Sequence, residues 1–150
     1  MVATMAATAM TTLMVPTTAW AAPGGQAQAL LADLEASRLK LDGVPKLLQN
    51  QEWDAVRSIL KTPPVNYLWN MGDSRNPVLA LAKATETFEL VELKDEIAIS
   101  LQMCDQLAYD NVFLPFQPGN GKIKIKEPVD LAMKAMKQID EAIQMAKDAQ

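Results

Sequence analysis

The sequence predicts an all-α protein, an up-down four-helix bundle carrying an N-terminal extension, and three observations predict it. The first is a long run without a helix breaker: between Pro77 and Pro115 there is neither Gly nor Pro. The second is composition. Hydrophobic residues make up 49% of the chain but aromatics only 5%, a core of Leu, Ala, Met, Ile and Val that suits helices better than a β-sandwich. The third is period. Apolar residues recur at steps of three and four through several segments, the spacing of one helical face.

The longest segment organises the rest. Asn76–Asp110 is built mostly of good helix formers, and as one helix it would run on the order of 50 Å. Asn76 before Pro77 is an N-cap followed by proline at the first helical position. Leu81, Thr85 and Phe88 make its early apolar face, and Leu90, Leu93, Ile97, Leu101, Cys104 and Ala108 the later one.

Before it, Leu30, Leu34, Leu41, Val44 and Leu48 share a face, with Asp33, Glu35, Arg38, Lys40 and Asp42 on the wet side. Gly43 and Pro45 interrupt this helix, so a kink or short break near Leu41 is expected without a reversal. The reversal is expected at Gln49-Asn50-Gln51. A second helix then carries Trp53, Val56, Ile59 and Leu60, with Glu52 and Asp54 near its positive end. Pro63-Pro64 stops or bends it, Val65–Met71 reads as a further helical turn, and Gly72-Asp73-Ser74 reads as a loop. After the long helix, Asn111–Gly121 is turn-rich. The last helix opens at Glu127-Pro128 and buries Ala132, Ala135, Met136, Ile139, Ile143 and Ala146.

Residues 1–21 are a different kind of sequence. Met1–Trp20 carries no charged side chain and closes on Ala19-Trp20-Ala21, a small-x-small pattern. It reads as the apolar part of an export signal cut after Ala21, and the missing basic stretch before it is what a preceding organelle transit peptide would leave. The domain is then 22–150. Pro23-Gly24-Gly25 reads as a flexible joint.

Composition also excludes chemistry. The chain has no His, which removes Ser-His-Asp and Cys-His nucleophile chemistry and imidazole ligands. The lone Cys104 cannot form an intrachain disulfide and sits in an apolar stripe, where it reads as a small buried hydrophobe. Glu86, Glu89, Glu92, Asp95 and Glu96 form an acidic run. A di-metal site of the ferritin kind needs Glu-x-x-His pairs, so the run reads as a solvated face and no metal or cofactor is expected. Net charge is −4 and the pI about 4.8, which argues against nucleic-acid binding. No phosphate-cradling loop or Cys-x-x-Cys pair is present. The expectation is a binding protein, not an enzyme, with no small-molecule substrate.

One family fits this order of features. An Ala-x-Ala signal, a Pro/Gly start and a four-helix chain with Leu47-Leu48, Trp53, Val56 and Leu60 at the first hairpin resemble the PsbQ family, and most closely its red-lineage PsbQ′ branch. The likeness spans roughly Ala22 to Ala149. Trp53 falls where the family has a tryptophan just after the first hairpin turn, and Leu68 and Asn70 fall where it continues its second helix. Pro63-Pro64 departs from the unbroken helix of plant members, which are also basic where this chain is acidic. The resemblance implies an extrinsic subunit in the thylakoid lumen, peripheral to the membrane. Its partners would be photosystem II core subunits and other extrinsic proteins. It would shield the oxygen-evolving cluster and help retain calcium and chloride without binding manganese itself.

The candidate docking residues come from the sequence pattern. Lys122, Lys124 and Lys126 alternate with Ile123 and Ile125. In an extended strip the lysines face one way, toward an anionic partner, and the isoleucines face the bundle. Arg75 lies in a loop between helices, Pro23, Gly24 and Gly25 could order on binding, and Tyr67 could be an aromatic anchor. Trp69 is read as bundle core. The alternatives are a sibling extrinsic subunit with the same bundle, or an exported bundle that holds a small ligand or lipid between its helices.

Overall fold

The computed structural model describes residues 23–114 and 121–150. The expected signal, 1–21, lies outside them, as do residues 115–120 of the expected turn. The described residues are helical with no strand. Six α-helices follow in order: α1 (Pro23–Leu41), α2 (Val44–Gln49), α3 (Trp53–Lys61), α4 (Pro77–Thr85), α5 (Glu89–Phe113) and α6 (Lys126–Asp148). Two 3-10 turns, Val65–Leu68 and Asp73–Arg75, lie between α3 and α4. The second replaces the loop expected at Gly72-Asp73-Ser74.

α1 and α2 are the interrupted first helix. The break falls at Asp42-Gly43, because Pro45 has no N–H and its ring would clash with the carbonyl one turn back. Leu34, Leu41, Val44 and Leu48 are all fully buried across the break, so one apolar face passes through it. Pro23–Gly25 is the first turn of α1 and not the flexible joint expected. Proline is favoured at the start of a helix, where its missing N–H has no partner to lose.

The reversal after α2 occurs where expected. Gln51 takes a left-handed φ of 60°, and the Glu52 N–H donates back to the Leu47 carbonyl at 2.9 Å. This is the helix-ending bond of a Schellman motif. α3 then buries Val56 and Leu60, with Trp53 and Ile59 packed at the margin.

The 50 Å helix is not formed. α4 ends at Thr85, Glu86 adopts φ 53°, and α5 starts afresh at Glu89. The termination repeats the one at Gln51: the Thr87 N–H donates to the Ala82 carbonyl at 3.0 Å. Hydroxyls reinforce it, with Thr85 Oγ1 donating to the Leu81 carbonyl at 2.7 Å and Thr87 Oγ1 to the Thr85 carbonyl at 3.2 Å. Such local bonds offer the backbone an alternative to continuing the helix. The chain also turns back. Asn76 and Ala98 line one small cleft, and Lys94 Nζ reaches Asp73 at 3.1 Å. A continuous helix would hold residues 76 and 98 about 33 Å apart. Phe88, expected on the buried face, is swung outward by the turn and is 84% exposed.

The other pairings fix directions. Glu35 pairs with Lys147 and Arg38 with Asp140, each at 3.0 Å, so α1 and α6 run antiparallel. Arg57 pairs with Asp105 at 3.0 Å, while Trp53 and Asn111 border one cleft; α3 and α5 are antiparallel too. α5 and α6 make the most extensive contact. In it Ser100 Oγ donates to Gln138 Oε1 at 2.9 Å, both residues buried. Leu90, Leu93, Ile97, Leu101, Cys104 and Ala108 are all buried as their spacing predicts. On α6, Ala132, Ala135, Met136, Ile139 and Ala146 are buried and Ile143 is partly so. Each fully buried leucine contributes about 2 kcal/mol of transfer free energy.

α5 continues through Asn111 to Phe113, where a turn was expected. A helix gains one bond per residue added, and nothing before Pro115 stops it.

Candidate functional site

The lysine strip is held out from one end of the helices by a single buried side chain. Asn111, on the last turn of α5, is 1% exposed. Its Nδ2 donates to the Lys124 carbonyl at 2.7 Å and its Oδ1 accepts from the Lys124 N–H at 2.9 Å. An amide carries one donor and one acceptor side, so it can satisfy both backbone groups of one residue. The pairing fixes Lys124 against the end of α5.

The strip is only partly as expected. Residues 121–125 have no regular structure, and Lys126 is already the first residue of α6. Lys122, Lys124 and Lys126 are all exposed. Ile123 does not turn inward: it is 38% exposed and borders a surface cleft with Trp53 and Asn111. Ile125 is half-buried. Two of the three charges have acidic neighbours, Lys124 with Glu127 at 3.9 Å and Lys126 with Asp130 at 3.3 Å. Such exposed pairs contribute little to stability, but they offset part of the positive field the bare sequence suggests. Lys122 has no ion pair among the described residues.

The other candidates lie elsewhere. Tyr67 borders the small cleft with Trp69, Asp73 and Ala98, and Arg75 is exposed on the 3-10 turn beside it. Ala98 is about 20 Å along α5 from Asn111, so these two form no common surface with the lysines. Pro23, Gly24 and Gly25 open α1, before the level at which Glu35 meets Lys147, so they lie at the far end from the lysine strip. Trp69 is half-buried against the core and donates from Nε1 to the Leu60 carbonyl at 2.8 Å, as a core residue should.

Beside the lysine strip lies a cluster that spacing alone did not reveal. The Arg57 guanidinium sits 4.7 Å from the Tyr109 ring centroid while paired to Asp105. Tyr109 in turn stacks at a tilt on Phe113, with centroids 4.7 Å apart. The one available signal was the four-residue spacing of Tyr109 and Phe113. Tyr109 and Phe113 are about two-fifths exposed, and with Lys122 and Lys124 they line a cleft of about 420 Å³. Aromatic faces and cations at one edge suit recognition of a polar surface.

Three titrating groups are perturbed among the described residues. Arg38 is raised: burial lowers it, but its hydrogen bonds to Asp42 and Asp140 outweigh that. Burial, helped by Asp105, pushes the Cys104 thiol up to about 12, and its Sγ lies 3.5 Å from the Pro128 carbonyl. A thiol held protonated is a poor nucleophile. Lys94 is raised above its ordinary value by its hydrogen bond to Asp95, with Asp73 adding to it against a cost of burial. Glu86, Glu89, Glu92, Asp95 and Glu96 are all exposed.

The chain matches no family model, no curated protein and no solved structure. Among the described residues no helix is long and apolar enough to cross a membrane.

Proposed function

We propose that this chain is a non-catalytic extrinsic subunit of the PsbQ kind. On this reading it docks from the thylakoid lumen on photosystem II core subunits and neighbouring extrinsic proteins, and helps retain calcium and chloride at the oxygen-evolving complex. Its helices would form an up-down four-helix bundle. One rod is α1 with α2, the next α3 with α4 across the 3-10 turns, the third α5 and the fourth α6. The antiparallel pairings above support that arrangement, though the rods divide differently from the sequence expectation, which joined α4 to α5.

The observation that carries the reading is the lysine strip. A stiff helical body presents Lys122, Lys124 and Lys126 at one end, in a backbone fixed by Asn111, beside the exposed Tyr109 and Phe113. A preformed surface loses little entropy on binding, and its charges would set register and salt sensitivity more than raw affinity. The test is rebinding to photosystem II membranes stripped of extrinsic proteins. The triple variant Lys122→Glu, Lys124→Glu, Lys126→Glu should rebind at least tenfold more weakly, and what remains should be less sensitive to salt. Rebinding equal to the unaltered chain would remove the strip as the docking site. Failure of the unaltered chain to bind such membranes, or to co-purify with chlorophyll complexes, would remove the photosystem assignment itself.

A further inference from the structure

The turn between α4 and α5 leaves an apolar cleft that the first reading does not use. Leu79, Ala82, Phe88 and Val91 line it, and its volume is about 550 Å³. Phe88 stands 84% exposed at its edge, where a core residue was expected. Beside Leu79, Ala82 and Val91 it offers an apolar surface to a partner. The rim is acidic: Glu86 and, on the first turn of α5, Glu89 and Glu92 are exposed and form no ion pair among the described residues. Lys83 is the one cation among the described residues that line the cleft.

The occupant this cleft suits is a segment that alternates lysine with an aliphatic side chain, and the chain carries one. Lys122–Lys126 offers three exposed lysines and an exposed Ile123, with Lys124 held in place by Asn111. It cannot reach the cleft of its own molecule. Glu89 begins α5 and Asn111, which holds Lys124, nearly ends it, a separation of about 33 Å along the helix. We propose that the cleft at the α4–α5 turn receives the lysine strip of a second copy of this chain. Phe88 then meets Ile123, and the carboxylates of Glu86, Glu89 and Glu92 meet the lysines. The two patches are different and lie at opposite ends of one helix. The contact is therefore head-to-tail, and it extends to chains or closes to rings instead of stopping at a symmetric dimer. This is a property of the isolated chain and does not rest on the photosystem reading.

The experiment is sedimentation velocity on the purified full chain over a concentration series, in low salt and in half-molar salt. Two variants are included: Phe88→Ser, which blunts the cleft, and the triple charge reversal Lys122→Glu, Lys124→Glu, Lys126→Glu, which removes the strip. These side chains are exposed, so the fold should survive both changes. The unaltered chain should grow past dimer with concentration, with association about tenfold weaker in high salt. Each variant alone should stay monomeric. Mixed in equal amounts, they should form one-to-one dimers and go no further, because one intact cleft meets one intact strip. An unaltered chain that stays monomeric throughout, a variant that associates as the unaltered chain does, or a mixture that stays monomeric would each overturn the proposal.

Discussion

Asn111→Ala tests the element on which the lysine strip depends. The side chain makes two hydrogen bonds to one backbone residue, at 2.7 and 2.9 Å, and is itself almost wholly buried. A typical intramolecular hydrogen bond contributes about 1 kcal/mol net, so losing two costs about 2 kcal/mol. Lys124 is exposed, so water can take up its freed N–H and C=O and no large desolvation penalty is added. A loss of that size lowers the melting temperature by roughly 4–10 °C in a domain of this length. The local readout is sharper. Hydrogen exchange at the Lys124 amide should rise to the rate of a free, unprotected amide, while amides in the middle of α5 keep their protection. Asn111→Asp separates the two bonds. Its carboxylate can still accept from the Lys124 N–H but cannot donate to the Lys124 carbonyl, so the amide should stay protected while part of the stability is lost. If Asn111→Ala leaves both the melting temperature and Lys124 exchange unchanged, the strip is held by something else.

Five further outcomes follow. Leu101→Ala should cost about 3–5 kcal/mol in denaturant unfolding, because Leu101 is fully buried and the cavity does not close. Leu39→Ala, at a residue 70% exposed, should change stability by less than about 0.5 kcal/mol. Gln51→Gly should raise stability by up to about 1 kcal/mol, since Gln51 holds φ 60° and glycine carries no penalty there; a fall on thermal melting would contradict the assignment. Gln138→Leu should cost about 1–3 kcal/mol by leaving the buried Ser100 hydroxyl unpaired, and adding Ser100→Ala should recover most of it. For Cys104, the folded thiol titrates at about 12 against an ordinary 9.0, so the unfolded chain loses its proton first. Its contribution to stability is complete below pH 9 and is lost as pH rises toward 12. Cys104→Ala should flatten that alkaline fall, and thiol labelling at pH 8 should be slow until denaturant is added.

The apolar faces were legible because period alone decides them. Leu34, Leu41, Val44 and Leu48, at steps of seven, three and four residues, keep one helical face across the Gly43 break, and all four are buried. The turn at Glu86 was not legible, since the usual punctuation is absent. Glycine normally ends a helix in the left-handed conformation, and here a glutamate does so. The same holds at Gln51, but there α2 was already short and Gln-Asn-Gln is a polar break. At Glu86 the flanking residues are Ala, Thr and Phe, and the hydroxyl bonds of Thr85 and Thr87 are a weak cue that becomes visible only once the turn exists. One unrecognised turn separated α4 from α5 and moved Phe88 from core to surface.

The docking residues were legible in kind and not in arrangement. Three alternating lysines announce a basic strip, and the acidic partners at i+3 and i+4, Glu127 and Asp130, were there to be counted against it. What spacing could not supply is a contact between distant residues. Asn111 binds a backbone thirteen positions away, and Arg57 reaches Asp105 and Tyr109 from another helix. Those contacts determine that the strip is fixed, that aromatic faces stand beside it, and that Tyr67 and Arg75 lie too far along α5 to join it. A helix places its own neighbours by period, but a surface is assembled from several helices. The register between them is set here by buried polar pairs such as Ser100 with Gln138. A leucine seam alone would tolerate a shift of one turn, whereas a shifted α6 would strand both polar groups. The position of the lysine strip relative to α5 therefore depends on such pairs as well as on Asn111. Disrupting Ser100–Gln138 should therefore raise hydrogen exchange at the Lys124 amide, and unchanged exchange would show that Asn111 alone sets the strip's position.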